Sequence, residues 1–109
     1  MHELGITRNI VDIVSKAAEG RRVLRVQLKI GELSAIYPDS IAFCFDVCCK
    51  NTVLEGAKLD IMMIAGCLRC RQCHTETTSK TLYGQCVCGS KDLQCIAGQE
   101  LLIGDIELD

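Results

Sequence analysis

The sequence predicts an α+β fold, a small three-stranded sheet with two helices, interrupted by an inserted cysteine-rich unit. Three observations carry this expectation. Two stretches place apolar residues at helical spacing, and three others are strand-like apolar runs, most of them alternating. Six of the nine cysteines, Cys67, Cys70, Cys73, Cys86, Cys88 and Cys95, crowd between the second and third of those strands.

The first helix is expected over residues 4–18, with Ile6, Ile10, Ile13, Val14 and Ala17 as its apolar stripe. Arg8, Asp12, Lys16 and Glu19 face away, and Gly20 ends it. From Val23 to Ile30 the pattern alternates, with Leu24, Val26, Leu28 and Ile30 on one face and Arg25, Gln27 and Lys29 on the other. Gly31 closes this strand. Tyr37-Pro38-Asp39-Ser40 signals a second helix, since proline suits a first turn and Asp39 favours the positive end of the helix dipole. Asp39 and Ser40 are the expected caps. Ile41, Cys44, Phe45 and Cys48 form the buried stripe, with Cys49 one position off it as a half-exposed thiol. A second strand follows over residues 59–65, where Met62 and Met63 read as packing residues. The third runs over residues 101–108.

The sheet is left at Ala65 and rejoined at Glu100, so the two flanking strands are expected to pair antiparallel. The domain division predicted is residues 1–66 with 99–109 as one unit and residues 67–98 as an insertion. A segment that short has almost no core of its own, so cross-linking must supply what apolar burial cannot. Cys70-Arg-Gln-Cys73 and, twelve residues on, Cys86-Val-Cys88 would put four thiolates at the corners of a tetrahedron, which is a structural zinc site. Disulfides need an oxidising compartment, and Met1-His2-Glu3-Leu4 has neither a basic start nor an apolar run, so a cytoplasmic location is expected. A redox Cys-x-x-Cys would open a helix, whereas residues 75–81 are rich in Thr and Ser. The second pair departs from the usual zinc knuckle by having one intervening residue. Cys67 and Cys95 are therefore reserve ligands, and since Cys67-Leu-Arg-Cys70 overlaps the next pair, spacing leaves the choice among them open. His74, beside this cluster, reads as a solvated loop residue.

Composition excludes several functions. Twelve basic residues against fourteen acidic ones give a net charge of −2, which supplies no field to gather nucleic acid. With no Trp, two Phe and two Tyr, rings for base stacking are few. No apolar run approaches the ~18 residues of a membrane span. There is no Ser/His/Asp arrangement, phosphate loop or nucleotide motif, so no enzyme is expected. Four thiolates fill a tetrahedral zinc and leave no position for substrate.

Another metal is suggested by the first residues. Histidine in second place sets the α-amine of Met1, the His2 amide nitrogen and the imidazole Nδ1 where they can close fused chelate rings. With the amide deprotonated these three nitrogens are planar, an arrangement that suits Ni(II) and Cu(II). Glu3 adds a carboxylate to the same neighbourhood.

Met1-His2-Glu3-Leu4, Ile30-Gly31-Glu32-Leu33-Ser34, Asn51-Thr52-Val53-Leu54-Glu55-Gly56-Ala57, the Cys70/Cys73 pair, Cys88-Gly89-Ser90 and Ile106-Glu107-Leu108-Asp109 occur in that order along the whole chain. Together they resemble the HypA/HybF family of nickel-incorporation proteins for [NiFe]-hydrogenase. The resemblance implies a nickel metallochaperone, with nickel held by His2, Glu3 and the Met1 amine, and structural zinc held by two cysteine pairs. It carries over to Cys70, Cys73 and Cys88. The family's Cys-Pro-x-Cys is here Gln85-Cys86-Val87-Cys88, and Cys86 is the nearest thiolate under either alignment. Implied partners are a HypB-type GTPase, the hydrogenase large subunit and, in some members, urease accessory protein, with the chain itself a monomer or weak homodimer. The alternative is a zinc-ribbon module that binds protein or nucleic acid and has no nickel role.

Overall fold

A computed structural model describes residues 2–109 and has two helices and two small sheets. Helix α1 spans Glu3–Ala18 and strand β1 spans Val23–Gly31; helix α2 spans Pro38–Cys49. Strands β2 (Lys58–Ile64), β3 (Cys67–Cys70), β4 (Glu76–Thr78), β5 (Leu93–Ala97) and β6 (Leu101–Leu108) follow. This is the expected α+β class with its cysteine-rich excursion, and the excursion carries a sheet of its own.

The stripe of α1 is rotated by about one position from the expected one. Thr7, Ile10, Val11, Val14 and Ala18 are buried, whereas Ile13 is 53% exposed and Ala17 faces outward. Residue type had favoured isoleucine over threonine. Thr7 can be buried because its hydroxyl donates to the Glu3 carbonyl at 2.6 Å, so no polar atom is stranded. The helix ends where Glu19 turns left-handed and Gly20 continues at positive φ.

Pro38 occupies the first turn of α2, and Asp39 also lies there. The cap is Tyr37, whose side chain makes no capping bond, so Asp39 and Ser40 are first-turn residues and do not cap. Ile41, Cys44, Phe45 and Cys49 are its buried residues. Cys49, 3% exposed, is therefore the buried thiol and Cys48 the half-buried one, the reverse of the expected order. The 3.6-residue period carries the face from Phe45 to a point between positions 48 and 49. Packing of α1 on α2 forms the helical part of the core.

The first sheet has the order β2-β1-β6. The strands on either side of the cysteine excursion are thus both neighbours of β1 and do not pair with each other. β1, at the centre, is the most buried strand of the three: Val26, Leu28 and Ile30 have no exposed surface. Val23 is buried and Leu24 is 42% exposed, so regular alternation begins only at Val26; the Val23 N–H donates to the Val53 carbonyl. On the solvent face Arg25 bridges Asp60 of β2 at 2.9 Å and Glu107 of β6 at 3.3 Å. Met62 and Met63, on an edge strand, are 49% and 41% exposed and are not core residues as expected.

The second sheet is antiparallel, in the order β4-β3-β5. Cys67 faces Thr78 and Ala97, Leu68 faces Thr77 and Cys95, and a register shift lies between Cys67 and Leu68. The chain divides into two compact units, one of Met1–Lys29, Ile36–Met62 and Leu102–Asp109, the other of Ile30–Ala35 and Met63–Leu101. Within the second, Gly31, Gly66 and Gly98 meet where no side chain fits. A Cβ on Gly31 would overlap the Gly98 carbonyl, and one on Gly66 would overlap the Ser79 carbonyl. Leu33 packs on this crossing, and its N–H donates to the Gly98 carbonyl at 2.7 Å.

Candidate metal centre

Two turns build the cysteine site. After Cys70 ends β3, the chain reverses through His74 at φ 67°, with the His74 N–H on the Cys70 carbonyl and the Cys70 N–H on the Thr75 carbonyl, both at 2.9 Å. The second turn joins the Cys86 N–H to the Ser90 carbonyl and the Gly89 N–H to the Cys86 carbonyl, both at 2.8 Å. Gly89 sits at φ 93°, a conformation that costs it little. Gln85 braces this turn by donating to the Gly89 carbonyl at 2.8 Å.

These turns bring Cys70, Cys73, Cys86 and Cys88 together, with their sulfurs all within 4.8 Å of one another. Cys70 and Cys88 sulfurs are 3.7 Å apart and those of Cys73 and Cys86 are 3.4 Å apart. A tetrahedral ion with metal–sulfur bonds of about 2.3 Å has edges of about 3.8 Å, so the cluster is the size zinc requires. Cys67 and Cys95 are half-buried in β3 and β5 and stand outside the cluster. The Cys95 thiol is turned to the Ala97 carbonyl at 3.2 Å. One intervening residue between Cys86 and Cys88 is enough to bring both sulfurs in.

The electrostatics point to a cation. Thr75, through its hydroxyl and then its backbone amide, brings the Cys73 thiol down to about 6, with the Cys86 sulfur adding to the effect. The Cys73 amide, 3.4 Å from the Cys70 sulfur, lowers Cys70 as well. At Cys86 the Cys88 amide pulls downward, but the Cys73 sulfur and burial outweigh it and push the thiol up to about 12. Adjacent sulfurs cannot all ionise without a counter-charge, so Cys73 and Cys86 divide one proton between them. A divalent ion among four thiolates removes that conflict. Zinc, with a preference for four sulfur ligands and no redox chemistry, fits the donor set and would fill it completely.

The other predicted site lies at the start of α1. His2 is the helix N-cap and is exposed, and its carbonyl accepts the Ile6 N–H at 2.9 Å. As a cap its own amide lies outside the helical hydrogen-bond ladder. Glu3 is half-buried in the first turn. The Met1 amine lies outside the described residues. His74 is exposed in its turn, as expected. Sequence reasoning did not single out Thr75, whose hydroxyl lies 3.1 Å from the Cys73 sulfur; only its position two residues after a ligand marks it.

With this geometry in place, the likeness to known proteins is specific. The family described as HypA, hydrogenase/urease nickel incorporation metallochaperone, matches residues 1–108. The hydrogenase maturation factor HypA of Trichormus variabilis is 55% identical over 109 residues, covering all of this chain and 96% of that protein. That of Trichodesmium erythraeum is 56% identical over 110 residues with the same coverage. Among solved structures, a solution structure of a HypA protein matches at a TM-score of 0.76 and 26% identity, covering 99% of this chain and 96% of that one. The nickel metallochaperone HypA of Helicobacter pylori shares the fold at a TM-score of 0.71 and 24% identity, covering 99% and 97%. The chain belongs to the HypA family of hydrogenase maturation metallochaperones.

Proposed function

We propose that this chain carries Ni(II) at its N-terminus and hands it to the large subunit of a [NiFe]-hydrogenase, while the four clustered cysteines hold a structural zinc. The cargo site comprises the Met1 amine, the His2 amide and imidazole, and Glu3. The observation that carries this reading is His2 as an exposed helix cap whose amide is not committed to the helix, in a chain of a nickel-incorporation family. Three nitrogens open on one side bind an ion without enclosing it, which suits a carrier that must also release it. Acid should weaken loading, because protons compete for the amine and the imidazole.

The zinc ligands are Cys70, Cys73, Cys86 and Cys88. Their part is to tie two turns together, and no reaction is assigned to the chain. Energy for delivery comes from a HypB-type GTPase partner, since the chain has no nucleotide motif. Urease maturation is a second client of the same chemistry, and the work takes place in the cytoplasm. No helix is long and apolar enough to cross a membrane among the described residues. Residues 67–98 act as the zinc-binding insertion and residues 1–66 with 99–109 as the nickel-binding part.

The test is nickel titration with zinc counted, on tag-free protein beside His2→Ala and a form with one residue added before Met1. Both altered proteins should keep one zinc and the far-ultraviolet circular dichroism of the original while losing nickel binding. Equal nickel uptake by all three, or nickel that displaces zinc, overturns the N-terminal site.

A further inference from the structure

The surroundings of the four sulfurs are unequal, and the inequality has a chemical consequence that rests on the zinc reading above. Cys70 is 1% exposed, and its sulfur faces the Cys73 amide. Cys73 is exposed, but its sulfur lies 3.1 Å from the Thr75 hydroxyl. That hydroxyl is held in place because the Thr75 carbonyl accepts the Cys70 N–H. When Cys73 is ionised, the hydroxyl donates to it. Cys86 is half-buried inside its own turn and faces the Cys88 amide. Cys88 differs from all three. It is exposed, its sulfur is turned to that of Cys70 at 3.7 Å, and among the described residues no N–H or O–H is bonded to it. The residue before it, Val87, is 96% exposed, so nothing covers the approach.

A donor bonded to a thiolate withdraws charge from sulfur and lowers its nucleophilicity, and burial denies access. Cys70 is protected by burial, Cys73 by Thr75, and Cys86 by its turn. We propose that Cys88 is the reactive corner of the zinc-loaded site, the sulfur at which a soft carbon electrophile attacks first, and that Thr75 is the residue that shields Cys73 from the same attack.

With iodoacetamide as the electrophile, the Cys88 thiolate uses one sulfur electron pair to form a bond to the methylene carbon. The carbon–iodine bond breaks and iodide leaves with its electron pair. No proton or redox partner is needed. The resulting thioether is neutral and a poor ligand, so the alkylated chain would hold zinc through Cys70, Cys73 and Cys86 and should retain it less tightly.

The experiment uses the zinc-loaded full chain, limited iodoacetamide, and fragment-ion mass spectrometry to order the four cysteines, with zinc counted alongside. Cys88 should be modified about fivefold faster than Cys73, the size expected for one net hydrogen bond. Thr75→Val removes the hydroxyl and keeps the Thr75 amide on the Cys73 sulfur, so it should speed modification of Cys73 about fivefold, and Thr75→Ser should restore the original rate. Modification of Cys73 first in the unaltered chain, or an unchanged Cys73 rate in Thr75→Val, overturns the inference. The order in the unaltered chain decides the assignment of Cys88 alone should Thr75→Val fail to fold. A chain that holds no zinc overturns the underlying zinc reading instead, and metal content reveals this separately from the order of alkylation.

Discussion

Cys49 is a thiol that burial pushes up to about 12, with the neighbouring Cys48 and Asp46 charges acting in the same direction. Its folded value lies above the unfolded one, so the folded chain binds more protons between the two. The stability this provides is complete below about 9 and is lost as pH rises towards 12. Urea midpoints measured from pH 7 to 11 should therefore decline above about pH 9, and Cys49→Ala should flatten part of that decline. The same substitution should cost about 1–2 kcal/mol at neutral pH through the cavity it leaves. Individual residues were the least legible part of the sequence. Residue type favours Ile13 over Thr7 for the stripe because it says nothing about the Glu3 carbonyl that satisfies a buried hydroxyl. Cys48 and Cys49 were exchanged because adjacent positions near a helix end differ by only a fraction of a turn.

Both helices, and all three strands of the first sheet, could be read within a residue or so, because each runs for seven residues or more, long enough for an apolar pattern to stand out. The second sheet could not. Its strands are three to five residues long, too short for alternation to show, and they form because two cysteine turns place them side by side. The order of the first sheet was equally hidden: strands that flank an excursion can pair or can enclose a third, and only the burial of β1 decides between these. At this scale Gly31 is the sharpest test. Gly31→Ala sets a methyl group against the Gly98 carbonyl, a backbone atom that cannot swing aside, and should cost about 2–3 kcal/mol in chemical denaturation. Gly5→Ala, where a Cβ meets open space, should leave stability unchanged or raise it by up to about 1 kcal/mol.

For the whole molecule, the four clustered sulfurs all lie in the second compact unit. In the β4-β3-β5 sheet of that unit, Leu68 and Cys70 are the buried side chains, and the rest of the sheet is exposed or half-exposed. Stripping zinc with a strong chelator should abolish amide protection over residues 67–98 while α1 and α2 keep theirs, as followed by hydrogen exchange. Simultaneous loss in both regions would show that the helices also depend on the ion. The four cysteines whose sulfurs come together, Cys70, Cys73, Cys86 and Cys88, are the ones the family resemblance points to, whereas spacing alone leaves the choice among the six open. The hydroxyl of Thr75 could not, since its value depends on a turn that closes only when Cys70 and Thr75 bond.

Leu33 has a consequence for transplantation. It belongs to a segment more than thirty residues before the first clustered cysteine, yet it lies over Gly66 and Gly98 and anchors on the Gly98 carbonyl. The cysteine excursion is therefore no detachable cassette. A graft of residues 67–98 into a foreign loop would carry every sulfur and leave its lid behind. The smallest portable version includes residues 30–35 as a second strand of chain, and a chimera built without them should bind zinc but keep its two ends apart.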